Sequence, residues 1–362
     1  MGDPIRVGVV GGGLAGALLT WRLTRYPWVE AHLVLGHDGA LDATEASGGA
    51  VRAYDPVPAQ CALATASLLE LLGSRVLQNW SGYRQSGFTY IRTVDATVAP
   101  DAAEIRRWWP GAVDVVAGPD LARRGFLGLP SGTCAVIERY GGYLAPDRLR
   151  HAVLAALPDG AARTGAVSTI EPRPDGSLTT VVDGEPAVYD VVVVAAGGWT
   201  PSLLRAAGFA ADGYRTKAIQ YGIYPVESLD GMSVPAFADE TTGLYAKPTV
   251  ERDLLLGYPT GEWGVPPGRP PVDPDVHAAA VALLRERVPA LRVGPARRYV
   301  SATDCYTDPP VLDLRPVPGG GDRLFTFTGG SGGAAKTALA ASTRAAAALS
   351  GARTTAGAED QP

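Results

Sequence analysis

Ile5-Arg6-Val7-Gly8-Val9-Val10-Gly11-Gly12-Gly13-Leu14-Ala15-Gly16-Ala17 is the stretch on which the fold turns. The β-branched apolar run Ile5 to Val10 leads into a glycine turn. Ala17 to Thr24 continues as helix, and His32 to Leu35 as a second apolar strand. Strand, tight turn, helix, strand is a βαβ start, which implies a parallel sheet. Gly11, Gly13 and Gly16 fit G-x-G-x-x-G. The first glycine permits the turn, the second lets a pyrophosphate approach the backbone, and the third lets helix pack on strand. The helix N-terminus then offers its N–H groups to phosphate; taken alone, the motif is also compatible with a plain glycine-rich turn. An acid is expected at the end of the second strand to hold a ribose. Leu35 and Gly36 stand there, so Asp38 is the candidate by displacement, the alternative being a solvated loop aspartate.

Working outward, Val191-Val192-Val193-Val194-Ala195-Ala196 is a fully apolar run expected as a central strand buried on both faces, followed by Gly197-Gly198-Trp199. Leu324 to Thr328 is a further strand. It runs into a second glycine cluster, Gly329-Gly330-Ser331-Gly332-Gly333, and an Ala-rich helix that carries Lys336 and reaches about Leu349. A helix N-terminus at that place can stabilise negative charge developing on a ligand. Between these parts lie helices over Gln60 to Leu72, Arg148 to Leu157 and Val276 to Val288. Residues 214–300 are mostly β, with strands at Ile219 to Tyr224, Gly243 to Ala246 and Asp253 to Tyr258.

Composition bounds what such a chain does. Its 362 residues suit two lobes sharing a ligand better than one core. With 46% hydrophobic and 19% charged residues, disorder is excluded as the main state. A net charge of -5 gives no basic footprint for nucleic acid. Cys61, Cys134 and Cys305 are too few and too far apart for a disulfide framework or a metal cluster. No secretory signal pattern and no membrane-length apolar run is present, so a soluble cytoplasmic protein is expected. Of 32 basic residues only Lys217, Lys247 and Lys336 are lysines, which makes each a functional candidate.

The ordered set of motifs resembles the D-amino-acid-oxidase-like superfamily of flavoproteins, nearest the branch of monomeric sarcosine oxidase, N-methyltryptophan oxidase and pipecolate oxidase. The set comprises the first glycine turn, Ser47-Gly48-Gly49-Ala50-Val51-Arg52, Gly142-Tyr143-Leu144-Ala145-Pro146, the strand ending in Trp199, and Gly329 to Lys336. The resemblance implies a two-domain α/β flavoprotein, with a Rossmann-like FAD lobe over 1–85, 141–213 and 301–350. A β-rich substrate lobe would occupy 86–140 and 214–300, and 351–362 a disordered tail. It implies oxidation of a C–N bond of a small-molecule amine or amino acid, the electrons passing through FAD to O2 or another acceptor. Carried over by position, Gly11, Gly13, Leu14, Ala15 and Gly16 would touch the pyrophosphate. Ser47 and Arg52 would lie near the flavin, Val167 on the adenine side, and Ala196, Gly197 and Trp199 along the dinucleotide. Gly330, Ser331, Gly332 and Gly333 would also face the cofactor. Lys336 matches a lysine that binds a substrate carboxylate, and Tyr245 and Tyr306 match tyrosines of the substrate cavity.

The departures from the family carry as much. Covalent members hold the flavin on a cysteine where Asp304 stands, and Cys305 is one residue late, so non-covalent FAD is expected. A second carboxylate-binding arginine falls at Asp55. The lysine that activates oxygen falls at Leu255. Lys247, two residues from Tyr245 in a strand, shares its face and is the candidate replacement cation; the alternative is an edge lysine pointing at solvent. Two other functions remain compatible with the residues: a dehydrogenase with a non-oxygen acceptor, and a flavin-binding subunit without turnover.

Overall fold

The computed structural model describes residues 3–36, 42–229 and 236–351. Its first sheet is built around the opening strand. Ile5–Val10 pairs in parallel with Val29–Leu35 on one side and with Val191–Val194 on the other. The full order is Asp313–Pro316, Leu324–Thr328, Val191–Val194, Ile5–Val10, Val29–Leu35 and Ala162–Thr164, and only the first of these runs antiparallel. Side-chain alternation explains why the valine run must be central. Val7, Val9, Val191 and Val193 pack into one core with Leu18 of the helix Leu14–Leu23, Leu68 of Pro58–Gly73 and Leu339 of Ala334–Gly351. Val10, Val192 and Val194 point the other way, into a core shared with Ile170, Leu178 and Leu204. Both faces are covered, as the absence of polar alternation requires. The second strand begins at Val29, three residues earlier than its apolar run suggested, because Glu30 and His32 lie toward the surface.

The second sheet has nine strands and is mixed. The 14-residue strand Arg215–Ser228 is its spine, pairing with Asp253–Gly257, Leu291–Val293 and Arg298–Tyr306. Beyond Asp253–Gly257 follow Leu244–Pro248, Ala236–Asp239, Phe88–Thr93, Thr133–Glu138 and Val113–Ala117. One face packs against the helix Pro274–Arg287 through Leu254, Leu256, Ala246, Phe237 and Leu284. The alternate residues Tyr245, Lys247, Leu255 and Tyr221 turn toward the first sheet. A small three-stranded sheet of Ala50–Val51, Gly142–Tyr143 and Arg84–Gln85 sets the Ser47–Arg52 loop beside Tyr143. Gly351 is the last residue of the final helix rather than part of a tail. Residues 352–362 and Asp38 lie outside the described residues.

Candidate active site

One cavity of ≈ 1280 Å³ runs between the C-terminal ends of the parallel strands and the inner face of the nine-stranded sheet. Small-molecule pockets are roughly 300–1,000 Å³, so this one has room for a dinucleotide and a substrate together. Its first end is the glycine turn, where Gly11, Gly12, Gly13, Leu14 and Ala15 all line the wall. Gly11 holds φ +120°, and a Cβ there would sit 2.5 Å from the carbonyl oxygen of Ala195, so only glycine closes the turn. Gly16 is a correction to the carried-over set: it is buried, absent from the wall, and a Cβ on it would strike the carbonyl of Gly11. Its contribution is helix-on-strand packing. Ser47, Val167, Ala196, Gly197 and Trp199 line the same cavity. Sequence reasoning missed Arg150 at this end, where it is anchored 2.7 Å from Asp42 and also paired with Asp147.

The second glycine turn closes the other side. Gly329, at φ +91°, Gly330, Ser331, Gly332 and Gly333 line the cavity, and Gly330 bridges to Tyr306 of the upper sheet. Lys336 follows in the first turn of the last helix. It is only 5% exposed, and its Nζ lies 3.0 Å from Asp55 Oδ2. Arg52 donates to the same oxygen from 3.1 Å, with its guanidinium 4.7 Å above the ring of Tyr90. The acid at the position of the missing arginine is thus the shared counter-ion of two buried cations. Burial alone would raise the Asp55 carboxyl, but Lys336 and Arg52 hold it below the usual carboxylate range. Lys336 itself is brought down to about 8 by burial and by the nearby Arg52. Arg52 Nε has no partner among the described residues.

A further residue that the sequence did not signal holds this cluster in place. Glu138, 2% exposed at the end of the strand Thr133–Glu138, accepts the backbone N–H of Ala53 at 2.6 Å and of Tyr54 at 2.8 Å. Burial pushes its carboxyl up to about 7 despite these two donors. Its only sequence mark is an acid closing an apolar strand, which most edge positions also show.

The inner face of the upper sheet supplies the rest. Tyr245 donates to the carbonyl of Gln220 at 3.2 Å, its ring lying over Gly257, where a side chain would collide with it. Burial raises the phenols of Tyr245 and Tyr306. Lys247 sits on an interior strand and lines the cavity, with its Nζ 4.1 Å over the ring of Tyr143. Burial lowers its ammonium to about 8. Asp304 and Cys305 are both buried and both line the cavity, Asp304 close beside Gly332 and Cys305 with its side chain hydrogen-bonded to Thr328. Among the described residues no group of three or more His, Cys, Asp or Glu could hold a metal ion, and no helix is long and apolar enough to cross a membrane.

A parallel sheet presenting glycine turns to a cavity, roofed by a second sheet with tyrosines and buried cations, defines a two-lobed, dinucleotide-dependent oxidoreductase. The family described as FAD dependent oxidoreductase matches residues 6–348, and the chain belongs to it. The cavity fits FAD: the glycine turns at 11–13 and 329–333 both line it, one at each side. In fold, the chain is similar to the L-proline dehydrogenase of P. horikoshii, with a TM-score of 0.74 at 14% identity over 96% of this chain and 94% of that one. It is also similar to the glycine oxidase of Geobacillus kaustophilus, with a TM-score of 0.70 at 16% identity over 96% and 95%. Among curated proteins it is 29% identical over 324 residues to the bifunctional tRNA 5-methylaminomethyl-2-thiouridine biosynthesis protein of Paracidovorax citrulli. That match covers 82% of this chain and 48% of the relative, so the chain spans about half the relative's length.

Proposed function

We propose that this FAD-dependent oxidoreductase oxidises a C–N bond of a small-molecule amine or amino acid. FAD supplies the two-electron acceptor for the hydride on the carbon next to nitrogen; the imine then hydrolyses in water. The observation that carries the reading is the buried cation pair at the second glycine turn. Arg52 Nε has no partner among the described residues and Lys336 keeps two N–H groups beyond its bond to Asp55, so together they can receive a substrate carboxylate. Tyr245 and Tyr306 line the same cavity, where their apolar rings would exclude water from the reacting carbon. Ser47, Val167, Ala196, Gly197 and Trp199 would hold the dinucleotide with the glycine turns, FAD being non-covalent because Asp304 occupies the linking position.

Molecular oxygen is the proposed final acceptor, with Lys247 as the fixed cation that stabilises the charge of the first electron transfer. A dehydrogenase with another acceptor is the second reading, supported by Leu255 at the position of the oxygen-activating lysine. Cytoplasmic residence is supported by Cys61, Cys134 and Cys305, all buried free thiols. Anaerobic mixing of the FAD-loaded protein with a panel of amines and amino acids tests the function directly. Bleaching of the flavin by a member of the panel is expected; no bleaching by any of them favours the subunit without turnover.

A further inference from the structure

The first glycine turn offers FAD less positive charge than its motif implies. A helix N-terminus supplies roughly half a charge, and Leu14 to Ala17, the first turn of this helix, bring no basic side chain. Its first amide is already engaged, since the Leu14 N–H donates to Thr44 Oγ1 at 3.0 Å. Asp42 adds negative charge, its Oδ2 lying 4.0 Å from where a Cβ on Gly13 would stand. A diphosphate brought to this turn needs a cation that the turn itself does not contain.

Arg150 stands where that cation is needed. Of the arginines and lysines that line the chamber, Arg52 and Lys336 meet at Asp55 near the second glycine turn, and Lys217 and Lys247 belong to the roof sheet. Among the described residues, Arg150 alone of these types lines it at the first turn. The helix Pro146–Ala155 presents it, and carboxylates on two sides fix its guanidinium. Asp42 Oδ2 accepts from Nη1 at 2.7 Å, and Asp147 accepts from Nη2. The oxygen that holds Arg150 is thus the one that approaches Gly13, which sets the guanidinium one carboxylate away from the turn. A guanidinium has five N–H donors, so three take no partner among the described residues. His151, next along the helix, also lines the chamber, but its ring is turned to the carbonyl of Asp147. A planar fork clamped from two sides is pre-organised, and phosphate is the anion its geometry matches.

We infer that Arg150 is the counter-ion of the FAD diphosphate, aligned for it by Asp42 and Asp147. The inference rests on the family's cofactor and is independent of the C–N oxidation reading. Asp42 then orients the guanidinium at the glycine turn, in a chain whose second strand ends in Leu35 with Gly36 behind it.

The test is the affinity of the FAD-free protein for FAD, followed by quenching of FAD fluorescence over a series of salt concentrations. At low salt, Arg150→Met should weaken FAD binding roughly 10- to 150-fold, the scale of one or two charge-assisted hydrogen bonds. Wild-type affinity should fall as salt rises, and the gap to the variant should narrow, because screening acts on the charge that the variant lacks. Arg150→Lys, which keeps the charge and loses the fork, should fall between them. Riboflavin, which has the ring without the diphosphate, should be held equally by all three proteins. Arg150→Gln takes the place of Arg150→Met if the latter does not fold. Wild-type FAD affinity in Arg150→Met overturns the inference. So does a loss that is the same at every salt concentration and equally large in Arg150→Lys, or one shared in full by riboflavin; either would make Arg150 a brace between loop and helix.

Discussion

Lys247 and Leu255 stand directly opposite one another on adjacent antiparallel strands, both on the cavity face and both beside Gly48. A Cβ built on Gly48 would lie 3.5 Å from Leu255 Cδ1 and 4.0 Å from Lys247 Cε. An ammonium carried at either position therefore enters the same corner of the chamber. In stopped-flow work, Lys247→Met should slow reoxidation of the reduced protein by about 10-fold or more while reduction by substrate changes little. Adding Leu255→Lys to that variant should restore reoxidation, because the charge returns across the ladder. Lys247 loses its proton near 8, so wild-type reoxidation should also fall as pH rises through that value. An unaltered rate in Lys247→Met removes Lys247 from the oxygen step.

The cation pair at Asp55 should behave as a unit. Lys336→Met leaves Asp55 with Arg52 alone, and should raise the half-saturating concentration of a carboxylate-bearing substrate roughly 10- to 150-fold with FAD content retained. Asp55→Asn leaves two neighbouring buried cations without their counter-ion, and should lower the Tm more than Lys336→Met/Asp55→Asn does. A thermal-melt double-mutant cycle should show coupling of about 1–3 kcal/mol. Strict additivity of the two changes would contradict the shared counter-ion.

FAD should leave with acid. Burial pushes the Cys305 thiol up to about 11, which keeps it from acting as a thiolate near neutral pH. Precipitation in trichloroacetic acid is expected to release the yellow chromophore to the supernatant; colour in the pellet would make Cys305 an attachment point.

Asp304 should shape the pH profile of stability. Burial raises its carboxyl to about 7 from an unfolded value of 3.8. The folded state therefore binds its proton more tightly, and this contribution, complete below about pH 4, is lost as pH rises toward 7. The FAD-free protein should melt at a lower temperature at pH 8 than at pH 5. Asp304→Asn should flatten that slope, leaving the part due to Glu138, whose carboxyl also rises to about 7. A slope unaffected by the substitution would mean Asp304 is not held as the neutral acid.

Much of the fold was legible in the sequence because the first sheet is made of short-range signals. The Val191 run could be central only if both its faces were covered, and the glycine turn at 11–16 marks where strand becomes helix. The helix bounds fell within a few residues of expectation for the same reason, since apolar periodicity ends where burial ends. The site was legible where a residue sits on an element with a clear period, as Tyr245 and Lys247 do. It was not legible where chemistry depends on contacts between distant segments. Asp55 reads as a lost arginine in one dimension and is a bridge between Arg52 and Lys336 in three. Arg150 and Glu138 act through partners 108 and 84–85 positions away, at separations no local pattern encodes.

The reach of Glu138 has a mechanical consequence. Its strand belongs to the roof of the chamber, whereas the two amides it holds belong to the loop that bears Arg52 and Asp55 beneath. Swinging roof from floor at this point would strip both amides from a buried carboxyl, at roughly 1.5–3 kcal/mol each. Roof and floor are riveted there, so traffic of substrate and product falls to the loops at the rim instead of a clamshell motion. The charged cluster should consequently keep its geometry when a ligand fills the chamber.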